Sequence, residues 1–266
     1  MKGIQSRQNE KIKLARALRR RKAREAEGLF VLEGLLHIGE AVTAGAAFEY
    51  VLAAPESFKS GFAAKLAAEL EAQGVEVYEV GAELLRELSS KEHPAGLLAV
   101  MAQQFSALGD LHPENLTCGV ALVAPQDPGN LGSILRSIDA TGADGLIVLD
   151  GGVDAYHPSA VRAGMGAHFW KPIARTSFGE FEAWAKGHGY QVYGSSAQGG
   201  VMFDEVEAKR PFILLLGSER EGLSGEQKAI CDEVLRIPMR GRASSLNLAV
   251  AAGVLLVGLV GGGSSS

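Results

Sequence analysis

Three loops in the second half of the chain hold the residues whose types and spacing could do chemistry. The first, DPGNLGSILRS (127–137), puts Asn130 in a glycine-bearing turn and Arg136 six residues later. The second, LGSEREGLS (216–224), carries Gly217 and Glu219, and the third, IPMRGRASSLNLA (237–249), carries Ser245 and Asn247. Each follows an apolar run. Strand, glycine-rich turn and helix form a common seat for phosphates, because backbone N–H groups converge at the helix start. The Asn and the Arg add side chains that a bare phosphate cradle does not need. Singly, each has an ordinary explanation. Asn130 could cap a helix from Leu131, Arg136 could be a solvated helix arginine, and Glu219 an exposed loop carboxylate. Ser244 or Ser245 could cap a last helix, and Gly217 could mark a turn.

Sharper patterns are missing. GxSxG, GxxxxGK[ST] and GxGxxG do not occur, so the nucleophile elbow, the P-loop and the dinucleotide fingerprint are not found. His37, His93, His112, His157, His168 and His188 show no metal-ligand spacing, and no metal is expected. Trp170, Trp184 and the phenylalanines read as core rather than as base-stacking platforms.

Apolar runs at 118–124, 145–150, 190–196, 211–217 and 233–238 predict strands. Helical patterns lie between them at 130–141, 159–166, 178–187 and after Ser224, where Gln227 completes a capping box. A closing helix is expected from Leu246. Continuous apolar strands alternating with helices predict a parallel sheet covered on both faces. In such sheets ligands bind beyond the C-terminal strand ends, which would bring the three loops to one edge. The first hundred residues repeat the alternation on a smaller scale: after the stretch LFVLEG (29–34), strands are expected near 48–54, 75–80 and 96–103 and helices at 35–44, 62–74 and 82–90. Residues 104–117, QFSALGDLHPENLT, read as a linker. The expected domains are 1–103, the linker 104–117, 118–260, and a flexible Gly/Ser tail, 261–266.

The 266 residues, 47% hydrophobic and 21% charged, are those of an ordinary globular protein. Two cysteines far apart predict no disulfide framework and a reducing, cytoplasmic setting. The basic N-terminus has no apolar h-region, and the apolar run 246–260 is too short to span a bilayer. The net charge of −5 hides an asymmetry. Residues 1–24 hold ten Lys and Arg against Glu10, so the rest of the chain carries −14. KIKLARALRRRKAR (11–24) is helix-compatible, with Leu14 and Leu18 on one face. Lys11, Lys13, Arg16, Arg19, Arg20, Arg21, Lys22 and Arg24 would follow a nucleic-acid backbone, whose phosphates dominate affinity.

In residue type, spacing and order the three loops resemble the three motifs of the SpoU (TrmH-like) branch of the SPOUT RNA methyltransferases. Asn130 and Arg136 match the first, Gly217 to Glu219 the second, and Ile237-Pro238-Met239 with Ser245-Leu246-Asn247 the third. HPSAVRAGMGAHFWKPI (157–173) is similar to the family as well, and the likeness spans about 118–260. KIKLARALRRRKAREAEGLFVLEG resembles the start of the L30e-like RNA-binding domain often fused ahead of such enzymes. One departure is Leu248-Ala249, where Val-Ser is frequent in the family.

The resemblance implies a ribose 2′-O-methyltransferase using S-adenosylmethionine, a trefoil-knotted C-terminal α/β domain, and a homodimer with composite active sites. It implies catalytic roles for Asn130, Arg136, Glu219, Ser245 and Asn247. Ser196, Ala197, Gly217, Ile237, Met239 and Leu246 would hold the cofactor. Arg136 is the base it implies. Because a guanidinium pKa lies above about 12, gripping a phosphate next to the ribose is the simpler role. Glu219 would hold either Arg136 or a neighbouring loop. The expected substrate is ribosomal RNA. The alternatives are a tRNA 2′-O-methyltransferase, a base methyltransferase of the same fold, a non-catalytic RNA-binding module, and, with less support, a dinucleotide-dependent oxidoreductase.

Overall fold

The computed structural model describes residues 1–261. The chain divides into two compact units: Met1–Gln103 with Tyr156–Val161, and Gln104–Ala155 with Arg162 onward.

The first unit begins with β1 (Lys2–Gly3), α1 (Glu10–Ala17), α2 (Arg21–Glu27), β2 (Leu29–Glu33), α3 (Leu35–Thr43) and β3 (Phe48–Ala53). It continues with α4 (Gly61–Ala72), β4 (Val77–Glu79), α5 (Ala82–Leu88) and β5 (Leu97–Ala102). Its sheet is mixed, in the order β1-β4-β3-β5-β2, with β5 antiparallel to both neighbours. The basic segment read as one helix is two. Ile12, Ala15 and Leu18 form the buried face, while Leu14 is half-buried. The chain turns at Leu18–Arg20, and Arg20 is extended. The Arg24 side chain folds back to donate from Nη1 to the Leu18 carbonyl at 2.8 Å, satisfying one of the carbonyls a helix end leaves open. At 1% exposure Arg24 is core. Its assignment to an RNA-binding face is therefore corrected.

The second unit contains β6 (Cys118–Val123), α6 (Pro128–Thr141), β7 (Gly145–Leu149), α7 (Pro158–Gly164, shared with the first unit), β8 (Ile173–Thr176) and α8 (Phe178–Gly187). It ends with β9 (Gln191–Ser195), β10 (Val201–Met202), β11 (Phe212–Leu216), α9 (Gly225–Ala229), β12 (Glu233–Arg236) and α10 (Leu248–Gly261). The order is β10-β12-β9-β11-β6-β7-β8 and every pairing is parallel. Ala121, Val123, Ile147, Leu149, Val192, Ile213 and Leu215 form one core with Phe178, Phe181 and Trp184 of α8. The alternate positions Val120, Leu122, Leu146, Val148 and Leu214 are buried too, so both faces are covered, as the apolar runs predict. The chain leaves β6 outward to β7 and β8. It then returns to the far side, where β11 fills the place between β9 and β6. This reversal opens a crevice at the C-terminal strand ends, the usual ligand seat of such sheets.

The segment 104–117 is less of a linker than its polarity predicts. Leu111 and Leu116 are buried in the second unit's core, and their carbonyls accept from Trp184 Nε1 at 3.0 Å and the Tyr190 hydroxyl at 2.8 Å. The strands β1, β8 and β10 carry no clear sequence signal, being two to four residues long. Of the expected tail, only Gly261 falls within the described residues, as the last residue of α10.

Candidate active site

Four loops meet at the crevice: those after β6, β9, β11 and β12. The first starts at Ala124, which adopts a left-handed φ of 41°, a conformation that costs a non-glycine residue energy. It is pinned from both sides. On one side the Val153 amide donates to the Pro125 carbonyl at 2.8 Å, and a Cβ on Gly152 would come within 2.5 Å of that oxygen. On the other, Glu219 accepts from the backbone amides of Gln126 at 3.0 Å and Asp127 at 3.2 Å. So Glu219 holds the neighbouring loop rather than Arg136.

Asn130 is not the cap of α6. Asp127 is, with its carboxylate accepting from the Asn130 amide at 2.7 Å and Pro128 following it. The Asn130 side chain is thereby released for the crevice. Its Nδ2 donates to Glu219 at 3.4 Å, and its Oδ1 accepts from Asn247 Nδ2 at 2.9 Å. Asn247 in turn caps α10, its Oδ1 accepting from the amides of Ala249 and Val250 at 2.9 and 3.3 Å. The cap reading of Ser244 and Ser245 thus passes to Asn247. Asn130, Glu219 and Asn247, from three separate loops, form one hydrogen-bonded chain.

Beside it lies a cavity of about 530 Å³, within the ~300–1,000 Å³ typical of small-ligand sites. All six residues expected to bind cofactor line it, and so do Asn130, Glu219, Ser245 and Asn247. Gly217 shapes one wall: a Cβ there would lie 2.1–2.3 Å from backbone atoms of Gly222 and Leu223. The wall is therefore main chain, with amides and carbonyls able to read an adenine edge. Sequence reasoning passed over Gln198, Arg220, Lys228, Leu248 and Ala251, which also line the cavity. Lys228 follows the Ser224 capping box by one turn, and a single lysine on a short helix carries no signal of its own.

Arg136 stands apart. It is exposed on α6 and does not line the cavity. Six residues of helix put it about 9 Å along the axis from Asn130. The basic segment is partly engaged within its own unit. Lys11 lies 4.6 Å over the Tyr50 ring and 3.7 Å from Glu76, Arg16 lies 3.8 Å from Glu87, and Arg21 pairs with Glu25 at 2.7 Å. Arg19 donates to the Glu87 carbonyl at 3.4 Å. Lys13, Arg20 and Lys22 are exposed. Among the described residues no cluster of three potential metal ligands occurs, and no helix is long and apolar enough to cross a membrane.

Comparison with known proteins matches these features. The SpoU rRNA Methylase family model covers residues 118–257, and the MRM3-like substrate binding domain model covers 9–99. The chain is 31% identical over 264 residues to the 23S rRNA (guanosine(2553)-2′-O)-methyltransferase RlmP of Bacillus subtilis, covering 98% of this chain and 100% of that one. It is 35% identical to the 23S rRNA (uridine(2479)-2′-O)-methyltransferase of Streptomyces viridochromogenes, covering 89% and 84%. An AdoMet-bound rRNA methyltransferase from Sinorhizobium meliloti superimposes with a TM-score of 0.87 at 33% identity, over 96% of both chains. The AdoMet complex of AviRb from S. viridochromogenes gives 0.84 at 31% identity, over 95% and 97%. The chain belongs to the SpoU rRNA methylase family, and its cofactor is S-adenosylmethionine.

Proposed function

We propose that the protein methylates a ribose 2′-hydroxyl of ribosomal RNA. The observation that carries this reading is the Glu219–Asn130–Asn247 chain lying along a cavity of cofactor size. When bound there, S-adenosylmethionine supplies an electrophilic methyl group. The chain's own residues position the acceptor. Asn130 and Asn247 present amide groups at the cavity mouth, Ser245 adds a hydroxyl, and Glu219 fixes the turn that carries Asn130. Gly217, Ile237, Met239 and Leu246 line the wall for the adenosine, with Ser196 and Ala197 beside them. Holding two reactants in line supplies up to about 7–11 kcal/mol in the best intramolecular cases.

Arg136 binds the phosphate next to the target ribose bidentately. Its distance along α6 from Asn130 supports a site completed by a second copy, so that Arg136 of one protomer serves the cavity of the other. The face for that copy is α10. The helix carries no charged residue, yet Val250 and Val257, seven apart, are 52% and 65% exposed, and Leu246 beside it 37%. Exposed apolar stripes of this kind mark contacts between chains. The return of α10 onto α6, after β12 at the far side of the sheet, supports the trefoil knot. The reading also places the protein in the cytoplasm with the ribosomes, which its two free cysteines suit. Exposed Lys13, Arg20 and Lys22 of the first unit add RNA affinity.

The test is transfer of labelled methyl to unmodified 23S rRNA and to tRNA transcripts, with wild type and R136A. The proposal expects rRNA labelling that R136A abolishes, with S-adenosylhomocysteine binding by calorimetry unchanged. Labelling of tRNA alone, or loss of cofactor binding in R136A, contradicts it.

A further inference from the structure

Trp170 departs from the core role its residue type predicts. It is 41% exposed, whereas Trp184, the second tryptophan, is buried and stacked on Tyr190 at 4.6 Å between centroids. Nor does Trp170 swing freely. Its indole Nε1 donates to Asp139 Oδ1 at 2.8 Å, which fixes the ring against α6. The neighbouring Lys171 is anchored as well, donating to the Ala143 carbonyl at 2.9 Å with Asp139 3.7 Å away. Asp139 is thus occupied by an indole N–H and an ammonium. One turn earlier on the same helix stands Arg136, exposed and i−3 to Asp139, hence on the adjoining surface. An apolar ring with its polar edge satisfied, held open to solvent within a turn of a free arginine, offers two surfaces. One suits a flat aromatic group and the other a phosphate. A nucleotide has both.

We propose that Trp170 is a stacking platform for an RNA base next to the methylated ribose, with Arg136 holding the phosphate between them. This rests on the 2′-O-methyltransferase reading. Single-stranded and looped RNA is gripped by stacking on aromatic rings, and Asp139 pre-orients the indole so that little rotamer freedom is lost on binding. Asp139 is here a positioning residue acting through Trp170.

The experiment uses the full chain and an unmodified 23S rRNA transcript. Acrylamide quenching of tryptophan fluorescence reports Trp170, because Trp184 is buried. The transcript is expected to shield wild type from acrylamide and to leave the emission of W170F unchanged, even without S-adenosylmethionine. In labelled-methyl kinetics, W170A is expected to raise KM for the transcript about 10-fold or more, with kcat within two-fold. W170F and W170Y, which keep a ring, should restore KM to within about three-fold. D139N should show a smaller rise, since its amide still accepts from the indole. An unchanged KM in W170A overturns the proposal. So does a W170A defect that tracks a raised dimer dissociation constant in sedimentation, which would make Trp170 a contact between copies. If wild type transfers no methyl to rRNA, the enzyme reading fails, while the quenching still decides whether Trp170 meets RNA.

Discussion

Replacing Glu219 by Gln tests whether the three loops act as one unit. The carboxylate accepts from the Gln126 amide, the Asp127 amide and Asn130 Nδ2 at 3.0, 3.2 and 3.4 Å. The first bond uses Oε2 and the other two use Oε1. A glutamine has the same shape but only one acceptor atom, so an N–H of the turn must face an amide NH₂. Hydrogen bonds to charged groups contribute about 1.5–3 kcal/mol each. Glu219 is half-buried, so one lost bond should sit near the lower value. At 1.4 kcal/mol per factor of ten, a loss of roughly 1.5 kcal/mol from the turn that carries Asn130 predicts about a 10-fold fall in kcat/KM. Labelled-methyl kinetics on an rRNA transcript read this directly. Expressed as stability, the same loss lowers Tm by roughly 3–6 °C, which calorimetry reads. E219Q with wild-type transfer and an unchanged Tm would show instead that the turn is held by something other than the carboxylate.

Other expectations use different contacts. G217A drives a methyl group into the backbone of Gly222 and Leu223, where no side chain can yield. S-adenosylhomocysteine binding should weaken roughly 5- to 100-fold by calorimetry, from an overpacking cost of roughly 1–3 kcal/mol. N247D keeps an oxygen to cap α10 but turns the donor facing Asn130 Oδ1 into an acceptor; transfer should collapse while helix content and Tm hold. S177A removes a full capping box on α8 and should cost about 1 kcal/mol in denaturant unfolding. Burial raises the Cys118 and Cys231 thiols from 9.0 to about 12 and about 11. Both should resist thiol reagents at pH 8 until the protein unfolds. Above pH 9 the unfolded state releases these protons before the folded state does, so Tm should fall as pH rises from about 9 to 11.

Much of the catalytic unit was legible in the sequence because its strands are buried on both faces. Runs such as CGVALV and FILLL need no register to be recognised, and parallel pairing with loops at one edge follows from their alternation with helices. The candidate-site residues that meet at the cavity were legible for a related reason: Asn130, Glu219 and Asn247 stand in glycine-bearing turns after such runs. What composition did not carry is local competition between side chains. Asp127 takes the cap that Asn130 could have taken, and Asn247 takes the one offered to Ser244 and Ser245. Arg24 turns inward to close α1, although its neighbours are solvated. Those choices depend on which side chain reaches an open backbone group first in space. Trp170 is the converse case, since residue type favours burial while Asp139 holds the ring at the surface.

Placement of a methyl group on a ribose 2′-hydroxyl of ribosomal RNA leaves a mark that depends on this chain. Mapping 2′-O-methylation across total RNA, from cells with and without the gene, tests it most directly. One rRNA nucleotide is expected to lose its 2′-O-methyl group without the gene. Wild type should restore the mark and R136A should not. An rRNA methylation map that does not change, or a mark lost from a tRNA or from a base instead, would contradict it.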